Sequence, residues 1–193
     1  MNTIEKDILK VLISEAELKA RVREIGGQIA MDYENKDPLF VGVLRGSFMF
    51  FADLMRVCPI PCGLDFLAAS SYKNATVSSG VVKIDYDIRS NIAGRHIILV
   101  EDILDSGNTL YNLAGHLRDR GAASVALCVL LDKPARREKP IQPNYVGFTC
   151  LLYTSRKIDR QKTPKCAAAM QQKRKAYWSD RHILPVWREK FLV

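Results

Sequence analysis

The chain has 193 residues, of which 48% are hydrophobic, and its formal net charge is +8 at neutral pH. This length suits one domain with a single buried core, and the composition gives no sign of disorder or repeats. No run reaches the roughly 18 apolar residues that span a bilayer, and the first residues do not form a signal-peptide pattern, so we expect a cytoplasmic protein. The 5 cysteines include no CxxC pair, which argues against a disulfide framework or a zinc site.

The excess of basic over acidic residues lies entirely in the last part of the chain. Up to Thr149 the chain has 18 basic and 18 acidic residues, whereas residues 150–193 have 11 basic and 3 acidic ones. A basic surface that binds nucleic acid is therefore not a property of the first 149 residues.

The first elements follow from apolar spacing. Ser14 and Glu17 form a capping-box pattern ahead of an amphipathic helix, and LFVGVL, from Leu39, is typical of a parallel strand buried on both faces. Residues 45–47 end this strand, and a helix follows that leads to a second strand near residues 64–69. The side chains expected to face inward from this helix are Phe48, Phe51, Ala52 and Met55.

The later elements continue the alternation of strands and helices. Residues 70–80 are rich in Ser, Asn and Gly, which predicts a mobile loop. In residues 82–88 apolar and charged side chains alternate, which predicts a strand with one face exposed to solvent. Strands are expected at residues 96–100, 124–131 and 145–149, with a helix after the first of them. The pattern predicts an α/β fold with a mostly parallel twisted sheet and helices on both faces.

The segment IILVEDILDSGNTL, which starts at Ile97, carries the clearest chemistry. Ligands bind at the carboxyl ends of strands in open parallel sheets. There Glu101 and Asp102 could accept hydrogen bonds from vicinal ribose hydroxyls or hold a hydrated Mg²⁺. The polar turn at residues 105–109 offers backbone N–H groups and hydroxyls to a phosphate at a helix N-terminus.

A purely structural interpretation of the same segment is also open. Glu101 and Asp102 would then only solvate a strand end, while Asp105 or Ser106 would cap the next helix.

The whole segment resembles the phosphoribosyl pyrophosphate motif of type I phosphoribosyltransferases. The strings VGVLRGSFMFFADL, SSYKNATVSSG and LLDKPARR are similar to the hypoxanthine-guanine branch of that family. This resemblance covers most of the first 149 residues, and it implies transfer of ribose 5-phosphate from phosphoribosyl pyrophosphate to a 6-oxopurine, with release of pyrophosphate.

The resemblance also implies a role for each part of the site. Residues 44–47 would form the pyrophosphate loop, in which the family often has a cis peptide between the first two residues, and Ser70 with Tyr72 would belong to a loop that closes over the reacting centre. Asp105 would be the general base, and Ile103 would pack against the purine. Glu101 and Asp102 would hold the ribose and Mg²⁺. The remaining implied contacts come from Leu44, Arg45, Gly46, Ser47, Ser106, Gly107, Asn108 and Thr109.

Two further cations are implied in the segment after the strand at residues 124–131. Lys133 would donate a hydrogen bond to the exocyclic oxygen of the purine, which selects 6-oxo over 6-amino bases because an ammonium group has donors and no acceptor. Arg137 would help to bind pyrophosphate. On composition alone, KPARREK is a solvated basic loop.

The resemblance ends near Thr149. The family's purine-stacking aromatic residue and its second metal-binding aspartate have no counterpart in residues 150–193, so we expect a phosphoribosyltransferase domain at 1–149 and a basic tail at 150–193. The tail could be a diverged accessory segment, the product of a frameshift or foreign sequence. Residues 150–155, CLLYTS, are what one frame of a transposon-end sequencing adapter encodes, which favours the last.

Two other functions stay open at this point. Lys173, Arg174 and Lys175 lie near Tyr177 and Trp178, a mixture of cations and stacking surfaces that could bind nucleic acid. An inactive or regulatory relative that only binds phosphoribosyl compounds is the other alternative. Family members are usually homodimers or homotetramers, and no membrane partner is expected.

Overall fold

The computed structural model describes residues 13–71 and 82–149. Tyr72, most of the predicted loop at 70–80 and the whole of 150–193 lie outside the described residues. No helix in the described ranges is long and apolar enough to cross a membrane. The elements in chain order are α1 (Glu15–Asp32), β1 (Leu39–Leu44), α2 (Phe48–Val57), β2 (Gly63–Ser71), β3 (Val82–Tyr86), β4 (His96–Leu104), α3 (Asn108–Asp119), β5 (Ser124–Asp132) and β6 (Tyr145–Thr149).

The strands form one sheet in the order β3-β2-β1-β4-β5-β6. All neighbours are parallel except β2 and β3, which pair antiparallel. The predicted α/β fold with a mostly parallel sheet is therefore confirmed, and β3 is an antiparallel strand at one edge.

Alternating residues of β1 face different helix layers. Leu39, Val41 and Val43 belong to a core cluster that includes the buried side chains of α3. Gly42 faces the other way, where a Cβ atom would lie 3.0 Å from the Phe51 ring of α2. Because side chains alternate across a strand, helices cover both faces, which explains why β1 is almost wholly apolar.

The helix α1 begins at the capping box that the sequence predicts, and its Arg21 side chain attaches it to β6. Ser14 and Glu17 make both hydrogen bonds of the capping box. From the second turn, the Arg21 guanidinium donates to the carbonyl oxygens of Val146 and Gly147 on β6, over 2.8 to 3.2 Å.

The prediction for the inward face of α2 was right at Phe51, which is buried, and wrong at Phe48. Phe48 is 49% exposed, and the buried side chains are Phe50, Phe51 and Leu54. With Ser47, which is fully buried, these residues have the same helical spacing as the predicted set. In a segment that is apolar almost throughout, the spacing alone does not fix the face.

An ionic cluster attaches the edge strand to α3. Asp87, just after β3, accepts hydrogen bonds from His116 at 2.8 Å and from Arg120 at 2.9 Å. Partial burial raises the pKa of Asp87, but the hydrogen bonds from His116 and the Ile88 amide, with the charges of His116 and Arg120, outweigh it and hold the pKa below its ordinary value.

We expect Asp87→Asn to reduce the free energy of unfolding near neutral pH by about 0.5–1 kcal/mol, as for other partly exposed ion pairs. Since the pKa of Asp87 is lower in the folded state, this contribution is present above the unfolded value of about 3.9 and is lost as the pH falls through the folded value. Urea unfolding of wild type and variant from neutral pH to about pH 3.5 should show a difference that shrinks in acid.

The matched control is Asp53→Asn, which removes the ion-pair partner of Arg56. Asp53 is more exposed than Asp87, so this substitution should change stability less. If the difference in the free energy of unfolding between wild type and Asp87→Asn stayed constant down to the lowest pH, the lowered pKa of Asp87 would be contradicted.

Candidate functional site

Three neighbouring parallel strands end at the same edge of the sheet. In the strand order β1-β4-β5, Gly42 lies beside Val100, and Leu104 lies beside Asp132. The loops that leave these strands are residues 45–47, 105–107 and 133–137. The sheet therefore brings together three segments that the sequence places far apart.

The first loop packs directly on an acidic side chain of β4. The peptide bond between Leu44 and Arg45 is cis, as the resemblance implies. A Cβ atom on Gly46 would lie 2.5 Å from Oδ2 of Asp102, so only glycine allows this close approach. Ser47 is fully buried and its hydroxyl donates to the Val43 carbonyl at 2.6 Å, so this side chain holds the loop and does not face a ligand.

The two adjacent acids lie within β4 and not beyond it. The strand continues to Leu104, four residues past the predicted end. Asp102 is 6% exposed, and its backbone N–H donates to Oε1 of Glu101 at 2.9 Å. Ile103, between the acids and the loop, is partly buried. The Asp102 carboxylate is thus held between β4 and residue 46, and the Glu101 carboxylate accepts from the Asp102 backbone.

The polar turn begins α3 without a side-chain cap. The N-cap residue is Gly107, so Asp105 does not cap the helix, and the Ser106 hydroxyl is 3.4 Å from the Asn108 amide nitrogen, too long for a strong hydrogen bond. Thr109 is partly buried in the first turn. A helix N-terminus of this kind has N–H groups and a positive dipole end to offer an anion.

Glycine is required at position 107 for two reasons. Its φ is +84°, and a Cβ atom there would lie 2.8 Å from Cγ2 of Ile141 and 3.1 Å from Cδ of Arg137. The turn is therefore both left-handed at this point and tightly packed against the segment after β5.

Asp105 has a cationic neighbour. Its Oδ1 lies 3.0 Å from Nε of Arg136, and its side chain is 42% exposed. The pair is close but not aligned as a hydrogen bond, because the same Oδ1 has no hydrogen-bond partner among the described residues. This oxygen is itself buried beside the Arg136 guanidinium, so the exposed part of the Asp105 side chain is not Oδ1.

The two cations expected after β5 differ in their surroundings. The ammonium of Lys133 has no hydrogen bond or ion pair with any residue in 13–71 or 82–149, and its side chain is half-buried at the site edge. Arg137 is bound within the protein instead, because its guanidinium donates to the Asp105 carbonyl at 2.8 Å and to the Asp132 carboxylate. The pyrophosphate contact that the resemblance implies for Arg137 stays a prediction.

The residues expected in the closing loop are only partly described. Ser70 lies in β2, paired with Lys83 of β3, and not in the loop. Tyr72 lies outside the described residues. The part of the closing loop that is described is therefore the base of the β2–β3 hairpin.

Comparison with known proteins places this arrangement in a family. The model of the phosphoribosyl transferase domain matches residues 13–161. The chain belongs to the phosphoribosyltransferase family. Within this family, a hypoxanthine-guanine phosphoribosyltransferase of Streptococcus pneumoniae is 43% identical over 146 residues, which are 76% of this chain and 81% of that protein.

A longer phosphoribosyltransferase relative and a solved structure agree. The bifunctional protein TilS/HprT of Listeria innocua is 47% identical over 146 residues, and the chain spans only 22% of its length. The crystal structure of a hypoxanthine-guanine phosphoribosyltransferase from Bacillus anthracis has a TM-score of 0.72 and 42% identity, and covers 76% of this chain and 86% of its own. Phosphoribosyltransferases of the hypoxanthine-guanine kind are thus its relatives in sequence and in fold.

Two residues of the phosphoribosyltransferase site were missed from the sequence. Arg136 approaches the Asp105 carboxylate, and Asp132, which is 7% exposed, accepts from Arg137. The only signal for either was the position of Asp132 at the end of a buried strand, where a charged side chain needs a partner.

We expect Gly46→Ala to lower the free energy of unfolding by about 1–3 kcal/mol, the usual cost of an extra carbon in a filled space, because the new Cβ would collide with the Asp102 carboxylate. Thermal and urea unfolding measure the change. Gly27→Ala in α1, where a Cβ would meet nothing within 4 Å, is the control and should be neutral or stabilising. Equal stability of the two variants would refute the close contact.

Proposed function

We propose that the chain transfers ribose 5-phosphate from phosphoribosyl pyrophosphate to N9 of hypoxanthine or guanine. The C1′–oxygen bond to pyrophosphate breaks, the N9–C1′ bond forms, and a nucleoside monophosphate and pyrophosphate leave. The observation that carries this proposal is the juxtaposition of an acidic pair, an uncapped helix start and an available lysine at one edge of the sheet. Each suits a different part of such substrates.

Substrate binding would be divided among the three loops. The 5′-phosphate would be bound by the turn at 105–109, where backbone N–H groups and the hydroxyls of Ser106 and Thr109 are near the start of α3. Glu101 and Asp102 would accept hydrogen bonds from the ribose hydroxyls. Pyrophosphate would lie against residues 44–46, where Arg45 is exposed.

Asp105 would act as the general base. Its half-exposed carboxylate could take the proton from N7 of the purine as N9 attacks C1′. Ile103 would pack against the purine ring. Water would be excluded by the loop between β2 and β3, to which Tyr72 belongs and which Ser70 precedes at the end of β2.

Lys133 would select the base. Its ammonium would donate to the 6-oxo oxygen of hypoxanthine or guanine, and it would repel the amino group of adenine because it has no acceptor. Its half-buried position would strengthen this discrimination, since an unpaired polar group there is costly.

The donor set fits Mg²⁺ held together with a substrate. The described residues contain no cluster of three or more His, Cys, Asp or Glu side chains that could bind a metal by themselves, whereas Mg²⁺ is commonly bound by one or two carboxylates together with substrate phosphates. Glu101 and Asp102 are the carboxylates for this site, and bound Mg²⁺ would offset the charge of the departing pyrophosphate.

The boundary near Thr149 remains part of the proposal. We propose a phosphoribosyltransferase domain at 1–149 and a tail at 150–193 that is foreign to it. Sequencing an independently amplified genomic copy would test this, and recovery of the same tail would overturn it. A homodimer or homotetramer, in the cytoplasm, is the assembly that we expect, and size-exclusion chromatography with light scattering measures it.

We expect Asp105→Asn to lower kcat for formation of IMP and GMP by about 100-fold to 10,000-fold, the usual contribution of a general base. The melting temperature should change little, because the Asp105 side chain is half-exposed. The assay contains phosphoribosyl pyrophosphate, Mg²⁺ and either base. Asp119→Asn, at the exposed end of α3, is the control with the same chemical change, and equal kcat in both variants would exclude Asp105 as the base.

We expect Lys133→Met to reduce kcat/KM for hypoxanthine by about 10-fold to 100-fold, which corresponds to one charged hydrogen bond. The KM for phosphoribosyl pyrophosphate should stay nearly constant, because Lys133 would not contact it. Activity with adenine, measured in parallel, should gain relative to hypoxanthine. The control is Lys19→Met on the exposed face of α1, and a loss confined to phosphoribosyl pyrophosphate would contradict a purine contact.

A further inference from the structure

Residues 133–138, the segment after β5, donate hydrogen bonds to the backbone of the turn before α3, which is the turn proposed to bind the 5′-phosphate and is called the phosphate turn. Three successive carbonyl oxygens of the turn accept hydrogen bonds from it, so the two segments are joined residue by residue. The hydrogen bonds are Lys133 N–H to Leu104 at 3.0 Å, Arg137 Nη1 to Asp105 at 2.8 Å, and Glu138 N–H to Ser106 at 2.8 Å.

These contacts determine where the N–H groups of the turn point. The peptide bonds of residues 104–107 are trans, and in a trans peptide the C=O and the following N–H point in opposite directions. Because the carbonyls at 104–106 point toward the segment after β5, the N–H groups of residues 105–107 point away from it. Their direction is therefore set before any ligand arrives.

Arg137 is the one residue of this set that donates from its side chain, and that side chain is largely buried. Its side chain is 11% exposed and that of Asp132, which it also binds, is 10% exposed. Its stem packs beneath Gly107, where the space left for a Cβ atom is only 3.1 Å from Cδ. A planar guanidinium can bind two acceptors at fixed directions, which an ammonium cannot do.

We propose that Arg137 is a positioning residue, which acts through the Asp105 carbonyl to orient both the Asp105 carboxylate and the N–H groups that bind the 5′-phosphate. This inference rests on the proposed function. It replaces a direct contact of Arg137 with pyrophosphate. Because Lys133 begins the same segment, the purine contact and the phosphate turn form one unit whose geometry depends on the Arg137–Asp132 pair.

The test compares ligands with and without pyrophosphate. In Arg137→Lys we expect the Kd for ribose 5-phosphate and the Kd for phosphoribosyl pyrophosphate, measured by calorimetry on the full chain, to rise together by about 10-fold, the effect of one lost charged hydrogen bond. In the same variant kcat should fall by at least as much. If only phosphoribosyl pyrophosphate binding weakens, Arg137 contacts pyrophosphate and the proposal is overturned.

A second variant guards against a folding defect. Asp132→Asn keeps the shape of the partner of Arg137 and removes its charge, so it should weaken ribose 5-phosphate binding in the same direction at temperatures well below its melting point. Arg56→Lys, an exposed substitution on α2 at the opposite edge of the sheet, should leave both Kd values unchanged. If both site variants bind ribose 5-phosphate as wild type does, Arg137 has no positioning role.

Failure of the proposed function gives a different result. A wild-type chain that binds ribose 5-phosphate but forms no IMP or GMP would contradict the transferase activity, while the comparison of variants would still decide the role of Arg137. A wild-type chain that binds neither ligand would overturn both.

Discussion

The site depends on one constraint, which is that β1, β4 and β5 end together at one edge of a sheet buried on both faces. The apolar side chains of these strands leave almost no freedom to shift the register, because a slip by one residue would turn each side chain to the wrong layer. The contact between Gly46 and the Asp102 carboxylate follows from this register. It fixes the distance between the loop after β1 and strand β4, although Gly46 and Asp102 are more than fifty residues apart in the chain.

Much of the binding geometry is set by the backbone. The carbonyls at 104–106 are bound from behind by the segment after β5, and Gly107 allows that segment to approach closely. An anion that arrives at the turn finds N–H groups already oriented, so little reorganisation is needed at binding or during reaction. In the proposed reaction, the side chains of Asp105 and Lys133 would add proton transfer and base selection to this backbone frame.

The sequence predicted most of the fold, because burial leaves a periodic trace. The strands β1, β4 and β5 were recognised from their apolar runs. The inner face of α2 was recognised only in part, since FMFFADLM is apolar on nearly every side. Arg137 could not be placed either, because a basic string looks the same whether an arginine is solvated or bound to Asp132. The roles of Asp105 and Lys133 came from motif resemblance, and periodicity carries no information on them.

The hydrogen bonds from Arg21 to β6 have a consequence for self-association. Successive carbonyls of a strand point to opposite sides, so one of the two acceptors, Val146 or Gly147, lies on the side of β6 away from β5. An incoming strand from another molecule would have to displace the guanidinium to pair there. Among the described residues β6 is the last strand of the sheet, and on this side Arg21 occupies backbone acceptors of the kind through which sheet edges pair with other chains.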